Sequence, residues 1–153
     1  MIERLEEINI YQNQFAWFDL ESFEECSSYV NLFEELMKIS KLQFQNIIWR
    51  EGWSQEKEHY LAEVTFSYKS HKYIIKVLCE EWFDPDLIIE LNLILNKDSS
   101  NERFYFIETN DQSIIVAFLD NYKNAILQKN NLIVNFSNLK LEKNQNWNQL
   151  MIT

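Results

Sequence analysis

Glycine and proline are almost missing: Gly52 and Pro85 are the only ones among 153 residues. A backbone that approaches phosphate closely needs glycine, so neither a P-loop nor a dinucleotide fingerprint fits this chain. Histidine (His59, His71) and cysteine (Cys26, Cys79) occur twice each. Zinc sites take His and Cys in close sets, and these four show no such spacing, so neither metal nor cofactor is expected. His71 falls at a predicted turn with no serine or cysteine nucleophile in a recognisable motif, so no catalytic histidine is expected. The cysteines read as small buried hydrophobes in a reducing cytoplasm, with a disulfide or a reactive thiol as the other readings. No run of about 18 apolar residues is present, and Met1-Ile-Glu-Arg-Leu-Glu-Glu lacks the apolar stretch of a secretory signal. A cytoplasmic protein without a membrane span is expected.

Positive charge is the other shortage. Fourteen Lys and Arg face 24 Asp and Glu, for a net charge of −10. Residues 1–60 carry −7 of it and residues 61–153 carry −3. Nucleic acid and anionic lipid both need Lys or Arg to meet phosphate, so neither is expected as a partner. Such a surface instead speeds encounter with a basic partner, although acidity also serves solubility alone.

What is present is a core. Apolar residues make up 46% of the chain and aromatics 15%, including five Trp and eleven Phe. That excludes an intrinsically disordered chain, and the length suits one domain burying roughly 70% of its unfolded surface.

Ile2, Leu5 and Ile8 recur at helical spacing, and residues 12–20 read as an extended connection. Ser22 with Glu25 fits a capping box, with Asp19 as a rival N-cap. Phe23, Cys26, Val30, Phe33 and Met37 then form one helical stripe whose back carries Glu24, Ser28, Glu34 and Glu35. Residues 42–53 suit a strand or a helical extension, ended by Gly52. From Tyr60 the period becomes two: Tyr60, Ala62, Val64, Phe66 and Tyr68, then, across Lys69-Ser70-His71, Tyr73, Ile75, Val77 and Cys79. Its turn lacks glycine, so one residue there is expected at positive φ.

Asp84 before Pro85 is a helix start, an acceptor at N-cap and a proline at N1. Leu87, Ile88, Leu91, Ile94 and Leu95 line the face that follows. The stretch also alternates, which keeps a strand open, but the Asp-Pro start and the polar stop at residues 96–101 favour a helix. Phe104, Phe106 and residues 112–119 form a second hairpin, Asp120 caps a short helix, and Leu132 to Phe136 supply a last strand. Residues 137–153 are a docked last element or a loosely held tail. The expected fold is α+β: N-terminal helices on an antiparallel sheet, then the order ββαββα, in a single domain.

Glu80, Glu81, Asp84 and Asp86 gather around Trp82 and Phe83. Three uses are open: paired acids for glycoside hydrolysis, a divalent-metal site, or an acidic binding epitope. The plainer reading gives Asp84 and Asp86 to the helix start and leaves Glu80 and Glu81 in solvent. Arg103 suits an ion pair with Glu90, Glu102 or Asp111, and Asp111-Gln112 suits a turn.

The profile, small, acidic, aromatic and without a catalytic set, resembles the immunity proteins of bacterial polymorphic-toxin and contact-dependent inhibition systems. The similarity is carried by Trp82-Phe83-Asp84 opening a helix, Leu91-Asn92 within it, Arg103-Phe104-Tyr105 after it and Asp111-Gln112 before an apolar strand. It implies a non-enzymatic antitoxin that binds a basic toxin domain of nuclease type. The partner-binding residues expected on that basis are Glu24, Glu34, Glu35, Glu80, Glu81, Trp82, Asp86 and Asp111. The competing expectations are an accessory interaction domain and a hydrolase using the Glu80–Asp86 carboxylates.

Overall fold

The computed structural model describes residues 1–109, 111–132 and 150–151. Along the chain come α1 (Ile2–Glu7), a 3-10 turn (Gln12–Gln14), β1 (Phe15–Asp19), α2 (Cys26–Ser40) and β2 (Gln45–Ser54). Then follow β3 (Tyr60–Tyr68), β4 (His71–Leu78), α3 (Asp86–Leu95), β5 (Arg103–Glu108), β6 (Ser113–Leu119), α4 (Asn121–Lys129) and β7 (Leu150–Met151). The fold is α+β, with the strands in two antiparallel sheets, β1-β6-β5 and β4-β3-β2-β7.

Both expected hairpins form. β3 and β4 pair from Leu61–Leu78 to Tyr68–His71, so the alternating apolar rows share one face. The turn between them holds two residues at positive φ, Lys69 and Ser70, where one was expected. β5 pairs with β6 from Arg103–Leu119 to Glu108–Ile114. α3 is a helix, but it starts one residue later than expected, with Pro85 at the N-cap and Asp86 first; the Asp84 carboxylate just ahead of it still accepts the Asp86 N–H at 3.0 Å. Asp120 caps α4 by accepting the Lys123 N–H at 2.9 Å.

Four expectations need correction. Residues 12–20 are not a plain connection, because β1 pairs with β6 at the edge of the first sheet. α2 begins at Cys26, not after Ser22, whose hydroxyl instead donates to the Asp19 carbonyl. Gly52 does not end its segment, since β2 runs through it to Ser54. A register shift against β3 between Gln45 and Ile48, with Asn46 at φ 54°, breaks the period that would have marked β2 as a strand. Finally, Cys26 and Cys79 are not separate thiols but a disulfide, with Cα atoms 5.5 Å apart. The expected strand at 132–136 lies, beyond Leu132, outside the described residues. So does the tail, apart from β7, which pairs with β2 at Trp53 and Ser54.

β6 is buried on both faces, which explains its unbroken apolar run. Ile115, Ala117 and Leu119 pack with Leu5, Ile10, Phe15, Ile107 and Leu127 under α1 and α4. Ile114, Val116 and Phe118 face a larger core that joins both sheets through α2 and α3. Leu87, Ile88 and Leu91 of α3 are fully enclosed there, so the middle helix is the hub that its composition predicts.

Candidate functional site

Three connections meet at one end of the molecule. The Leu20 N–H donates to the Gln112 carbonyl at 2.9 Å, and the Phe83 N–H donates to the Leu20 carbonyl at 2.8 Å. The Phe23 N–H reaches the Glu81 carbonyl at 3.4 Å, and the Cys26–Cys79 disulfide adds a covalent tie. Beneath them Phe18, Phe23, Tyr29 and Phe83 pack ring on ring, with centroids 4.7 to 5.9 Å apart.

A polar knot fixes this floor. The Tyr29 hydroxyl donates to the Leu78 carbonyl and accepts the Asp84 N–H at 2.9 Å. Burial pushes the Tyr29 hydroxyl far above its ordinary pKa, so it stays protonated as the donor. Asp84, completely buried, accepts the Leu78 N–H through its other oxygen at 2.9 Å. A carboxylate committed to two backbone amides is a structural element, and here it joins the end of β4 to the start of α3.

Above the floor the surface is acidic. Glu24, Glu25, Glu81 and Asp111 are exposed, with Asp19 beside them at the end of β1. Asp19 and Asp111 share a shallow depression of about 560 Å³ with Gln112 and Ser113. Glu80 accepts from His59 Nδ1 at 2.8 Å, a contact that is an ion pair only when the imidazole is protonated. Asp111 is held by the Ser113 hydroxyl, the Thr109 hydroxyl at 2.7 Å and the Ser113 N–H at 2.7 Å, which together bring its pKa below the ordinary carboxylate range. Trp82 follows Glu80 and Glu81 in the chain, with half of its surface exposed (50%).

The eight expected residues therefore divide. Glu24, Glu80, Glu81, Trp82 and Asp111 come together at this end. Glu34 and Glu35 lie two turns and more along α2, roughly 12 to 14 Å beyond Cys26 by helical rise. Glu35 pairs with Lys38 at 3.2 Å and lines a groove shared with Trp17, Ser22 and Phe23. Asp86 is withdrawn from the set, because only 8% of it is exposed and it belongs to the interior at the first turn of α3. With Asp84 and Asp86 inside and Glu80 and Glu81 outside, the four carboxylates around Trp82 do not converge on one cleft. Among the described residues no group of three or more His, Cys, Asp or Glu is placed to hold a metal ion. Nor is any described helix long and apolar enough to cross a membrane.

No family model, curated protein or solved structure matches the chain. Asp19, Glu21 and Glu25 belong to the acidic end and are absent from the expected set. Their signal is an absence: no Lys or Arg occurs between Arg4 and Lys38, between Lys76 and Lys97, or between Arg103 and Lys123. The three connections at this end all fall inside those gaps. Among the described residues Arg103, which begins the last gap, bonds not to a carboxylate but to Asn96 Oδ1 and the Ser100 and Glu102 carbonyls.

Proposed function

We propose that the chain is an immunity-type inhibitor that binds a basic toxin domain, of nuclease type, through the acidic end around Trp82. One observation carries the reading: three segments free of Lys and Arg are tied together by backbone hydrogen bonds, and one of them bears a half-exposed tryptophan. Summed like charge steers a basic partner toward the face, and a large aromatic at its centre supplies the apolar anchor that interfaces concentrate their energy on. The same field opposes the phosphates of nucleic acid and anionic lipid, so protein is the favoured partner class. The inhibitor acts without catalysis or cofactor, in the cytoplasm that an incoming toxin enters.

The test is neutralisation. A toxin domain encoded beside this chain, expressed in a bacterial host, should arrest growth, and coexpression of this chain should restore it. Glu80→Lys/Glu81→Lys should lose most of the protection while the purified variant stays folded, its melting temperature lowered only by the loss of the Glu80–His59 contact. Arrest that persists with the unaltered chain present at stoichiometric level or above rejects the reading.

A further inference from the structure

Cys26 opens α2 and Cys79 directly follows β4, and the bond between them lies close under the surface, each residue 7% exposed. Its flanks are what make it unusual. Glu24 and Glu25 precede one cysteine and Glu80 and Glu81 follow the other, with no Lys or Arg in either segment. The bond thus holds together two stretches of like charge. The nearest non-covalent tie between them, the Phe23 N–H to the Glu81 carbonyl, is 3.4 Å long, at the weak end for a hydrogen bond. Deeper in, the Tyr29 hydroxyl and the Phe18–Phe23–Tyr29–Phe83 rings hold α2 to the β4–α3 connection by other means.

We propose that Cys26 and Cys79 are a thiol–disulfide modification site that sets the arrangement of the acidic end: clasped when oxidised, sprung apart locally when reduced. Reduction takes a dithiol. One of its thiolates attacks either sulfur to give a mixed disulfide, and its second thiolate displaces the protein sulfur. Two electrons and two protons finish on Cys26 and Cys79, and the reductant leaves as its own disulfide. Oxidation by glutathione disulfide runs the same exchange backwards and releases two molecules of glutathione. In the reduced form the two acidic flanks repel, the Phe23–Glu81 contact and the adjoining Phe83–Leu20 contact open, and the buried Tyr29 hydroxyl knot limits how far the opening spreads. A reducing environment opens the site, and an oxidising episode closes it. Its bearing on partner binding rests on the function proposed above.

The test separates a clasp from a staple that only adds global stability. Amide exchange is followed in the full chain, oxidised with glutathione disulfide or reduced with dithiothreitol, at Phe23, Phe83 and, in the central strand β3, Val64. A local opening exposes little surface. In the reduced chain Phe23 and Phe83 should therefore exchange about tenfold or more faster than Val64, insensitive to low urea. Raising salt to about 0.5 M should slow them several-fold by screening the repulsion. Cys26→Ser/Cys79→Ser should reproduce the reduced chain under either condition. Exchange of all three amides through one urea-sensitive opening overturns the proposal, as does indifference of Phe23 and Phe83 to reduction or to salt. A fluorescent lysine decapeptide then carries the result to binding at low salt. Several-fold weaker capture by the reduced chain extends the clasp to the partner, and equal capture by both forms overturns that extension. Failure of the oxidised chain to capture the peptide counts against the acidic-end function and leaves the exchange result standing.

Discussion

Ser70 and Lys69 take the β3–β4 turn through φ of 69° and 49°, a conformation that glycine adopts without cost and that a Cβ disfavours. With one glycine in the chain, the other left-handed positions also fall to residues with side chains, among them Asn9, Lys41, Asn46, Lys57 and Asn131. Lys69 pairs with Asp98 at 2.9 Å, which leaves Ser70 as the position to relieve. Ser70→Gly should stabilise the chain by about 0.5–1 kcal/mol, read as a higher urea midpoint at unchanged slope. A lower midpoint would mean that the Ser70 side chain contributes more than its backbone costs. Tyr29→Phe works in the opposite direction. It removes the hydroxyl that serves the Leu78 carbonyl and the Asp84 amide, two buried groups, and should cost about 1–3 kcal/mol. At this chain length that is roughly 2–4 °C of melting temperature per kcal/mol, and an unchanged melting temperature would show that the knot is dispensable. Asp111 has a depressed folded pKa, so its contribution is present at neutral pH and is lost as pH falls through that lowered value. Its side-chain carboxyl should titrate by NMR below the usual aspartate value of roughly 3.9, and a midpoint at or above it would contradict the hydrogen bonds drawn to it.

The elements show where residue chemistry reaches the fold and where it stops. α3 is legible twice over, from Asp84-Pro85 at its start and from the apolar face that follows. Leu91 is fully enclosed, whereas Leu93, two residues on, is 54% exposed. Leu91→Asp should therefore place a charge in the core and cost several kcal/mol, while Leu93→Asp should leave the melting temperature within a degree or two. If Leu91→Asp melts with the parent, α3 is not the hub. The β3–β4 and β5–β6 hairpins are legible for a similar reason: their partners are near in sequence and the period of two is clean. β1 escapes notice because its partner is β6, about a hundred residues away, and five residues show little period. β2 stays open between strand and helix because Asn46 interrupts the alternation. Ser22 and Glu25 have the spacing of a capping box, yet the Ser22 backbone is engaged elsewhere. Its carbonyl accepts the Ser28 hydroxyl at 2.7 Å, and α2 starts only at Cys26. The disulfide is the contact least legible in the sequence. Cys26 fits a helical stripe and Cys79 a strand row, and only the closure of β4 on α2, 53 residues along the chain, brings the sulfurs together.

At the scale of the whole molecule, acids lie both at the end that bears Trp82 and along α2 at Glu34 and Glu35. The legible part was that acids crowd the first helix and the segment around Trp82. What pattern alone did not give was which of them share a surface, since that depends on loops 19–25, 79–84 and 111–113 meeting at one end. The fold separates Glu34 and Glu35 on α2 from Glu80 and Glu81 beside Trp82, so charge reversal can tell the two surfaces apart. Long-range steering acts on encounter more than on release, because screened fields extend only about 10 Å at ordinary salt. With a basic toxin partner at low salt, Glu80→Lys/Glu81→Lys should slow association by tenfold or more, on the order expected for steered encounter. Glu34→Lys/Glu35→Lys should slow it less, since Glu35 is already paired with Lys38 and the site lies farther from Trp82. Raising salt should bring both variants and the parent toward one association rate while dissociation changes little. Trp82→Ala should do the reverse, leaving association nearly intact and speeding dissociation, as the loss of a central anchor does. Trp82 is half exposed, so this variant should also keep its fold. Should both charge reversals associate as fast as the parent at low salt, the acidic end is not the steering surface, and the interface belongs among the neutral residues instead.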